Sequence, residues 1–204
     1  MPVIASANVE AKIVCRMELR LRRRMPRVKP TPFEGECAGL HSCYCLRLHG
    51  PTVLLADLLD ARRVKVPLTS RSKDAVLREL VELAAGEHGS AIADAILTSV
   101  REREQLLSTG IGSGVAIPHG KTAHIDQLVV AAGVARDPID FDALDGKPVE
   151  LFFLLIGPES ASGAHVKALS RISRLLRREG LRRELRTAGS GDAFVKVVRA
   201  SEPT

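Results

Sequence analysis

The run VELFFLLIG at 149–157 constrains the fold of this chain more than any other stretch. Its apolar residues are continuous rather than alternating, as expected for a β-strand covered on both faces. It is far shorter than the ~18 apolar residues of a transmembrane helix, and no other stretch comes near that length, so no membrane insertion is expected. A strand buried on two faces needs helices above and below it, and the chain supplies them. The stretch KDAVLRELVELAA reads as a helix capped by Ser70 or Ser72, with Val76, Leu77, Leu80, Val81 and Leu83 inward. After Gly86–Gly89, Ser90 opens a second helix with a stripe of Ile92, Ile96, Leu97, Val100, Leu106 and Leu107. A third helix begins near Gly163, capped by Ser162, with Val166, Leu169, Ile172, Leu175 and Leu176 inward. Shorter helices follow at 181–188 and, capped by Ser190, at 191–200.

Between the helices lie strand patterns at 64–68, 115–117 and 128–135. Asp145-Gly146 reads as a tight turn leading into the apolar run, so two neighbouring strands are antiparallel. The expectation is a layered α/β domain around a mixed sheet.

Charge divides the chain unevenly. Of 30 Lys/Arg and 24 Asp/Glu, nine and four fall within residues 1–50, so the remainder is nearly neutral. Aromatics make up only 3% of the chain, which leaves few rings for base stacking and argues against nucleic-acid binding by the folded part. All four cysteines (Cys15, Cys37, Cys43, Cys45) also lie in the first quarter, near His41 and His49. A one-residue gap between Cys43 and Cys45 suits a tetrahedral ion poorly, so free thiols are expected and no metal or cofactor. Residues 1–51 show no sustained period and read as a basic, unpacked extension, with the domain proper at 52–204.

The stretch STGIGSGVAIPHGK at 108–121 concentrates glycine ahead of a single histidine. It is not a P-loop, because Gly114 and Gly120 are six apart where that motif has five. It is not a dinucleotide fingerprint, since it leaves a helix for a strand. Ser113 lies directly between two glycines, so the G-x-S-x-G nucleophile elbow fails as well. His119 remains, a neutral-pH nucleophile after the fixed φ of Pro118, with Gly120 allowing close approach by a partner. Arg103 ends the preceding helix, where its guanidinium can offset phosphoryl charge. His165 lies in the first turn of a helix, where free N–H groups favour an anion.

Arg103-Glu104, then Thr109-Gly110-Ile111-Gly112-x-Gly114-Val115-Ala116-Ile117-Pro118-His119-Gly120, resembles the type-2 enzyme IIA signature of the bacterial phosphoenolpyruvate-dependent phosphotransferase system. The resemblance continues through Pro138-Ile139, Phe141, Ala143, Asp145-Gly146 and LFFLLIGPE to His165 and Leu169, and covers about 53–200. It implies a three-layer α/β/α arrangement around a small mixed sheet. It also implies His119 as phosphoacceptor at Nε2, His165 as the second active-site histidine, and Arg103 as the charge-stabilising group. The implied donor is the phosphocarrier protein HPr or its nitrogen-branch relative. The lack of a long apolar stretch and of a secretory-signal pattern makes the cytoplasm the expected location.

Val166 follows His165 where the family more often has Leu, and residues 1–51 have no counterpart. Val53 stands where the family's first Met would be, so that segment is expected to be an extension or to precede the true start. His88 and His124 match no functional position. The wording of the loop is most similar to the nitrogen-regulatory branch, implying phosphorylation-dependent regulation. The alternatives are a IIA component passing phosphate to a separate IIB of a fructose- or mannitol-type transporter, and a non-catalytic binding module. The stripe Lys167, Arg171, Arg174, Arg178 reads as a solvated helix face or a docking surface.

Overall fold

The computed structural model describes residues 54–86 and 89–202. In chain order the elements are α1 (Leu55–Leu58), β1 (Leu59–Leu68), α2 (Lys73–Ala85), α3 (Ser90–Leu106), β2 (Gly110–Gly112), β3 (Val115–Ala116), β4 (His119–Thr122), β5 (Val129–Ile139), β6 (Val149–Pro158), α4 (Ser162–Leu176), α5 (Glu179–Arg186) and α6 (Gly191–Ser201). The cysteines, the arginine cluster of the first quarter and His88 lie outside the described residues.

β6 is the centre of the sheet, as its apolar run requires. Residues 151–158 are all buried, Phe152 and Phe153 completely. The strand order is β1-β5-β6-β3-β2, with β4 also paired to β6. β5 and β6 are antiparallel, from Val129 opposite Ile156 to Ile139 opposite Val149. β1 runs parallel to β5, and both β3 and β4 run parallel to β6, so the sheet is mixed. One face buries Leu77, Leu80, Ile96, Phe141, Phe152 and Leu154 under α2 and α3. The other buries Phe153, Leu155, Ile172, Leu185 and Phe194 under α4, α5 and α6. The architecture is therefore three layers, α/β/α.

Ser72 caps α2 by accepting from the Ala75 N–H, and Ser190 caps α6 by accepting from Ala193. Ser162 is not a cap. It is the first residue of α4, behind a 3₁₀ turn at Glu159–Ala161, and no side chain caps that helix. Residues 140–148 make a longer link than the two-residue turn expected at Asp145-Gly146. Left-handed backbone at both Asp142 and Gly146 shapes it.

Leu106 and Leu107 are exposed, 82% and 50%, rather than part of the α3 stripe. Helical spacing explains this. Leu97, Val100 and Glu104 share the inward face, so the last inward position belongs to Glu104 and Leu106 points away. Val166 is exposed for the same reason, because its neighbour His165 takes the buried side of α4. Within the basic stripe, Arg171 pairs with Glu202 and Arg178 donates to the Ser201 carbonyl, so half of it serves the fold.

Glu202 closes the domain. Its buried carboxylate accepts from Leu55 N–H at 2.9 Å and Ala56 N–H at 2.8 Å, capping α1 from the far end of the chain.

Candidate active site

The glycine loop is a β-hairpin. Gly112, Ser113 and Gly114 all have left-handed φ angles (91°, 57° and 74°), a turn that side chains at 112 and 114 would strain. Asp145 accepts from Ser113 N–H at 2.8 Å, and Arg186 donates to Ser113 carbonyl at 2.9 Å, so the turn is held from two sides. β3 then enters the sheet beside β6 and is interrupted at Pro118, whose carbonyl still accepts from Leu155 N–H at 3.0 Å. Pairing resumes at His119, opposite Leu155. The histidine thus begins an edge strand, held on one side by β6 and on the other by α3.

The contact with α3 uses Gly120 differently from the sequence expectation. A Cβ at Gly120 would lie 2.7 Å from Ser99 Oγ, so the close approach there is made by α3 within the fold and not by a partner. Ser99 Oγ both donates to the Lys121 carbonyl (2.7 Å) and accepts from the Lys121 N–H (2.9 Å). It supplies edge strand β4 with the pairing that a neighbouring strand would otherwise give.

Three expected residues come together around the imidazole. Arg103 Nε stands 3.1 Å from His119 Nε2, while its Nη1 donates to the Leu107 carbonyl at 2.9 Å. His119 Nδ1 lies 2.9 Å from the Ile117 carbonyl. An arginine only donates, so Nε2 is the acceptor and carries the lone pair, and Nδ1 carries the hydrogen and donates to Ile117. The ring is a neutral imidazole with its nucleophilic nitrogen facing a cation. Burial lowers the pKa of His119, the Ile117 bond opposes this, and the positive fields of Arg103 and Lys121 lower it further.

His165 projects from the first turn of α4, with its ring centroid 5.9 Å from that of His119 and the planes inclined at 54°. No hydrogen bond joins the two rings. His165 is only 3% exposed, and its Nδ1 has no hydrogen-bond partner. Burial, then the fields of His119 and Lys121, push its pKa down to about 4. It reaches this position because β6 carries glycine at 157, where a Cβ would lie 2.8 Å from Nδ1.

Two further residues complete the surroundings. Lys121 is two residues from His119 on the same face of β4, and its Nζ donates to Ser162 Oγ at 2.8 Å. Glu104 is buried and accepts from both donors of Thr109. Both stand in the quoted motifs, Glu104 beside Arg103 and Lys121 at the end of the glycine loop, but the sequence assigned neither a role. His124 is exposed and outside the site. Among the described residues, no group of three or more His, Cys, Asp or Glu is placed to hold a metal ion.

A nucleophilic imidazole beside an arginine, a lysine and the start of a helix is suited to receiving a phosphoryl group. Residues 57–201 match the family model described as "Phosphoenolpyruvate-dependent sugar phosphotransferase system, EIIA 2". The chain belongs to this EIIA family. Its members are phosphohistidine carriers of the phosphotransferase system. This EIIA domain is 37% identical over 147 residues to a nitrogen regulatory protein of Bradyrhizobium diazoefficiens, covering 71% of the chain and 94% of that relative. It is also 36% identical over 144 residues to the fructose-specific EIIABC component of Bacillus subtilis, of which it spans only 23% while using 71% of its own length. The crystal structure of nitrogen regulatory protein IIA-Ntr from Neisseria meningitidis superposes with a TM-score of 0.65 at 34% identity, covering 70% of this chain and 97% of that one. The three-layer fold around a mixed sheet is that of these EIIA proteins.

Proposed function

We propose that His119 accepts a phosphoryl group at Nε2 from an HPr-type phosphohistidine protein. Arg103 offsets charge on the transferred group, and His165 lines the opposite side of the site. The observation that carries this reading is the His119 tautomer: Nδ1–H is tied to the Ile117 carbonyl, which leaves the lone pair on Nε2, where it accepts from Arg103 Nε–H until the guanidinium turns to the phosphoryl oxygens. In the transfer a bond forms between Nε2 and phosphorus as the donor's P–N bond breaks. The electron pair of the broken bond stays on the donor imidazole. Each ring keeps its own N–H, so the exchange balances without a net proton transfer. Catalysis is then positioning and charge stabilisation, supplied by Arg103, by Lys121 and by the uncapped N–H groups at the start of α4. With ring centroids 5.9 Å apart, His165 is close enough to contact a phosphoryl group carried on His119.

The recipient we favour is a regulated protein, with this domain reporting the state of a cytoplasmic relay. Support comes from relatives named nitrogen regulatory proteins, of which this chain spans 94% and 95%. Transfer to a separate IIB of a sugar transporter is the second reading, supported by the fructose-specific relatives. We take 52–204 as the functional unit, a reading supported by Glu202, which ties the last helix to Leu55 and Ala56. Among the described residues no helix is long and apolar enough to cross a membrane.

The test is intact mass after incubation with phosphoenolpyruvate, enzyme I and HPr, beside a His119→Ala variant. One acid-labile phosphoryl adduct on the wild type alone is expected. No adduct with either HPr or a nitrogen-branch donor, while a control EIIA is labelled, would leave the fold serving as a binding module.

A further inference from the structure

Glu104 poses a question that the reaction does not answer by itself. Its carboxylate is buried at the inward end of α3, 7% exposed, and it acts directly on His119 only through its negative field, with no hydrogen bond between them. Oε2 accepts from Thr109 N–H at 2.9 Å and from Thr109 Oγ1 at 2.5 Å, while Oε1 lies 3.0 Å from Lys73 Nζ. Lys73 is held in turn by Asp142 at 2.8 Å and lies over the Phe141 ring, 4.8 Å from its centroid. A carboxylate that takes both donors of one residue fixes that residue's backbone as well as its side chain.

From Thr109 the path leads to the imidazole in two steps. The Thr109 carbonyl accepts from Ile117 N–H at 3.0 Å, and the Ile117 carbonyl accepts from His119 Nδ1–H at 2.9 Å. Thr109 and Ile117 are 4% and 3% exposed, so water does not substitute readily for either link. Pro118 follows with a fixed φ and no N–H, so the backbone between the Ile117 carbonyl and the His119 ring has little freedom. Consecutive residues of α3 thus grip opposite nitrogens of one ring. Arg103 does so directly at Nε2, and Glu104 does so through Thr109 and Ile117 at Nδ1.

We infer that Glu104 is a positioning residue that fixes the His119 tautomer, keeping the proton on Nδ1 and the lone pair of Nε2 toward the incoming phosphorus. This rests on His119 being the phosphoacceptor. Without the clamp Thr109 and the Ile117 strand bonded to it shift together, the Ile117 carbonyl moves out of line with Nδ1, the Nε2–H tautomer becomes populated, and that form has no lone pair at the attacking nitrogen.

Glu104→Gln separates this role from simple packing. The amide keeps the shape, and because the Lys73 ammonium repels an NH₂ group, the amide oxygen faces Lys73 and the NH₂ faces Thr109, whose N–H loses its acceptor. Thr109→Val removes the hydroxyl donor at nearly constant volume, and Thr109→Ser retains it. The readouts are the ¹⁵N shifts of the His119 ring, which report the tautomer, and the single-turnover rate of phosphorylation by phospho-HPr. Glu104→Gln and Thr109→Val are expected to show mixed tautomers and rates lower by about tenfold to a hundredfold. Thr109→Ser is expected to recover most of the rate and the single Nδ1–H form. If Glu104→Gln does not fold, Thr109→Val carries the same two readouts. Melting temperatures that fall while tautomer and rate stay at wild-type values would overturn the proposal and leave Glu104 a packing residue. If the tautomer shifts but even the wild type takes no phosphate, the carrier reading fails while the positioning of His119 stands.

Discussion

Gly157 and His165 fit together because one has no side chain. A Cβ on Gly157 would fall 2.8 Å from Nδ1 of His165 and 2.6 Å from Cδ2 of Leu128. Residue 157 lies in the buried central strand, paired with Lys121 on β4, so its backbone has nowhere to retreat. The approach of the second histidine to the first is therefore set by a position on the sheet rather than by α4 alone.

Gly157→Ala is expected to displace His165, to lower stability by about 1–3 kcal/mol and to slow phosphorylation. Gly180→Ala is the contrasting change. Its site is open, within α5, and the loss of glycine freedom is expected to add about 0.5–1 kcal/mol. Urea denaturation of both variants checks the signs, and a Gly157→Ala protein as stable and active as wild type would refute the steric account.

Arg103→Gln is expected to slow phosphoryl transfer to His119 about a hundredfold, as loss of one preorganised charge stabiliser commonly does. It is also expected to raise the His119 pKa, because the guanidinium field lowers it in the wild type. Lys121→Met is expected to move both histidines upward, since its charge lowers both. NMR titration of the imidazole resonances, with quench-flow rates, tests these directions. Unchanged titration in both variants would remove the electrostatic role of the two cations.

Acid stability follows from two windows. His165 is held at about 4 in the fold against 6.5 ordinarily, and His119 is lowered in the same direction. Between those pH values the unfolded chain binds protons that the folded one refuses, so stability falls as pH drops from 6.5 to 4. For His165 the loss reaches about 3 kcal/mol. A second loss follows below pH 4.5. Burial alone would raise the Glu79 carboxyl, but bonds from Lys65, Ser70 and Thr69 outweigh it and hold the group at about 2. That contribution is present above 4.5 and disappears as pH falls through 2. Denaturation midpoints at pH 7, 5 and 3, with His165→Asn alongside, separate the windows. A wild-type midpoint flat from pH 7 to 5 would contradict the first.

Glu202→Gln is expected to cost about 3 kcal/mol, because it leaves Arg171 without its buried partner and weakens the cap on α1. Asp74→Asn breaks only an exposed pair with Arg101, and is expected to cost at most about 1 kcal/mol. Chemical denaturation measures the difference, and equal costs would show that the carboxylate at 202 does not close the fold.

By itself the sequence determined the layers and marked His119 as the candidate phosphoacceptor. The unbroken apolar run of β6 required cover on both faces, the inward faces of α2 and α3 were legible as far as Val100, and glycine before Pro118-His119 marked the loop. These are local patterns, in which period and turn chemistry act within a few residues of chain. The tertiary structure decided what surrounds the imidazole. It placed Arg103 on Nε2 across 16 positions and Glu104 on Thr109 across five. It filled the space at Gly120 with Ser99 and the space at Gly157 with His165. It also turned Leu106 and Val166 outward, where the apolar stripes read from helical spacing had placed them inside. The physical reason is common to all of these. A hydrogen bond or a missing Cβ takes its meaning from the atom opposite, and that atom comes from another element of the fold.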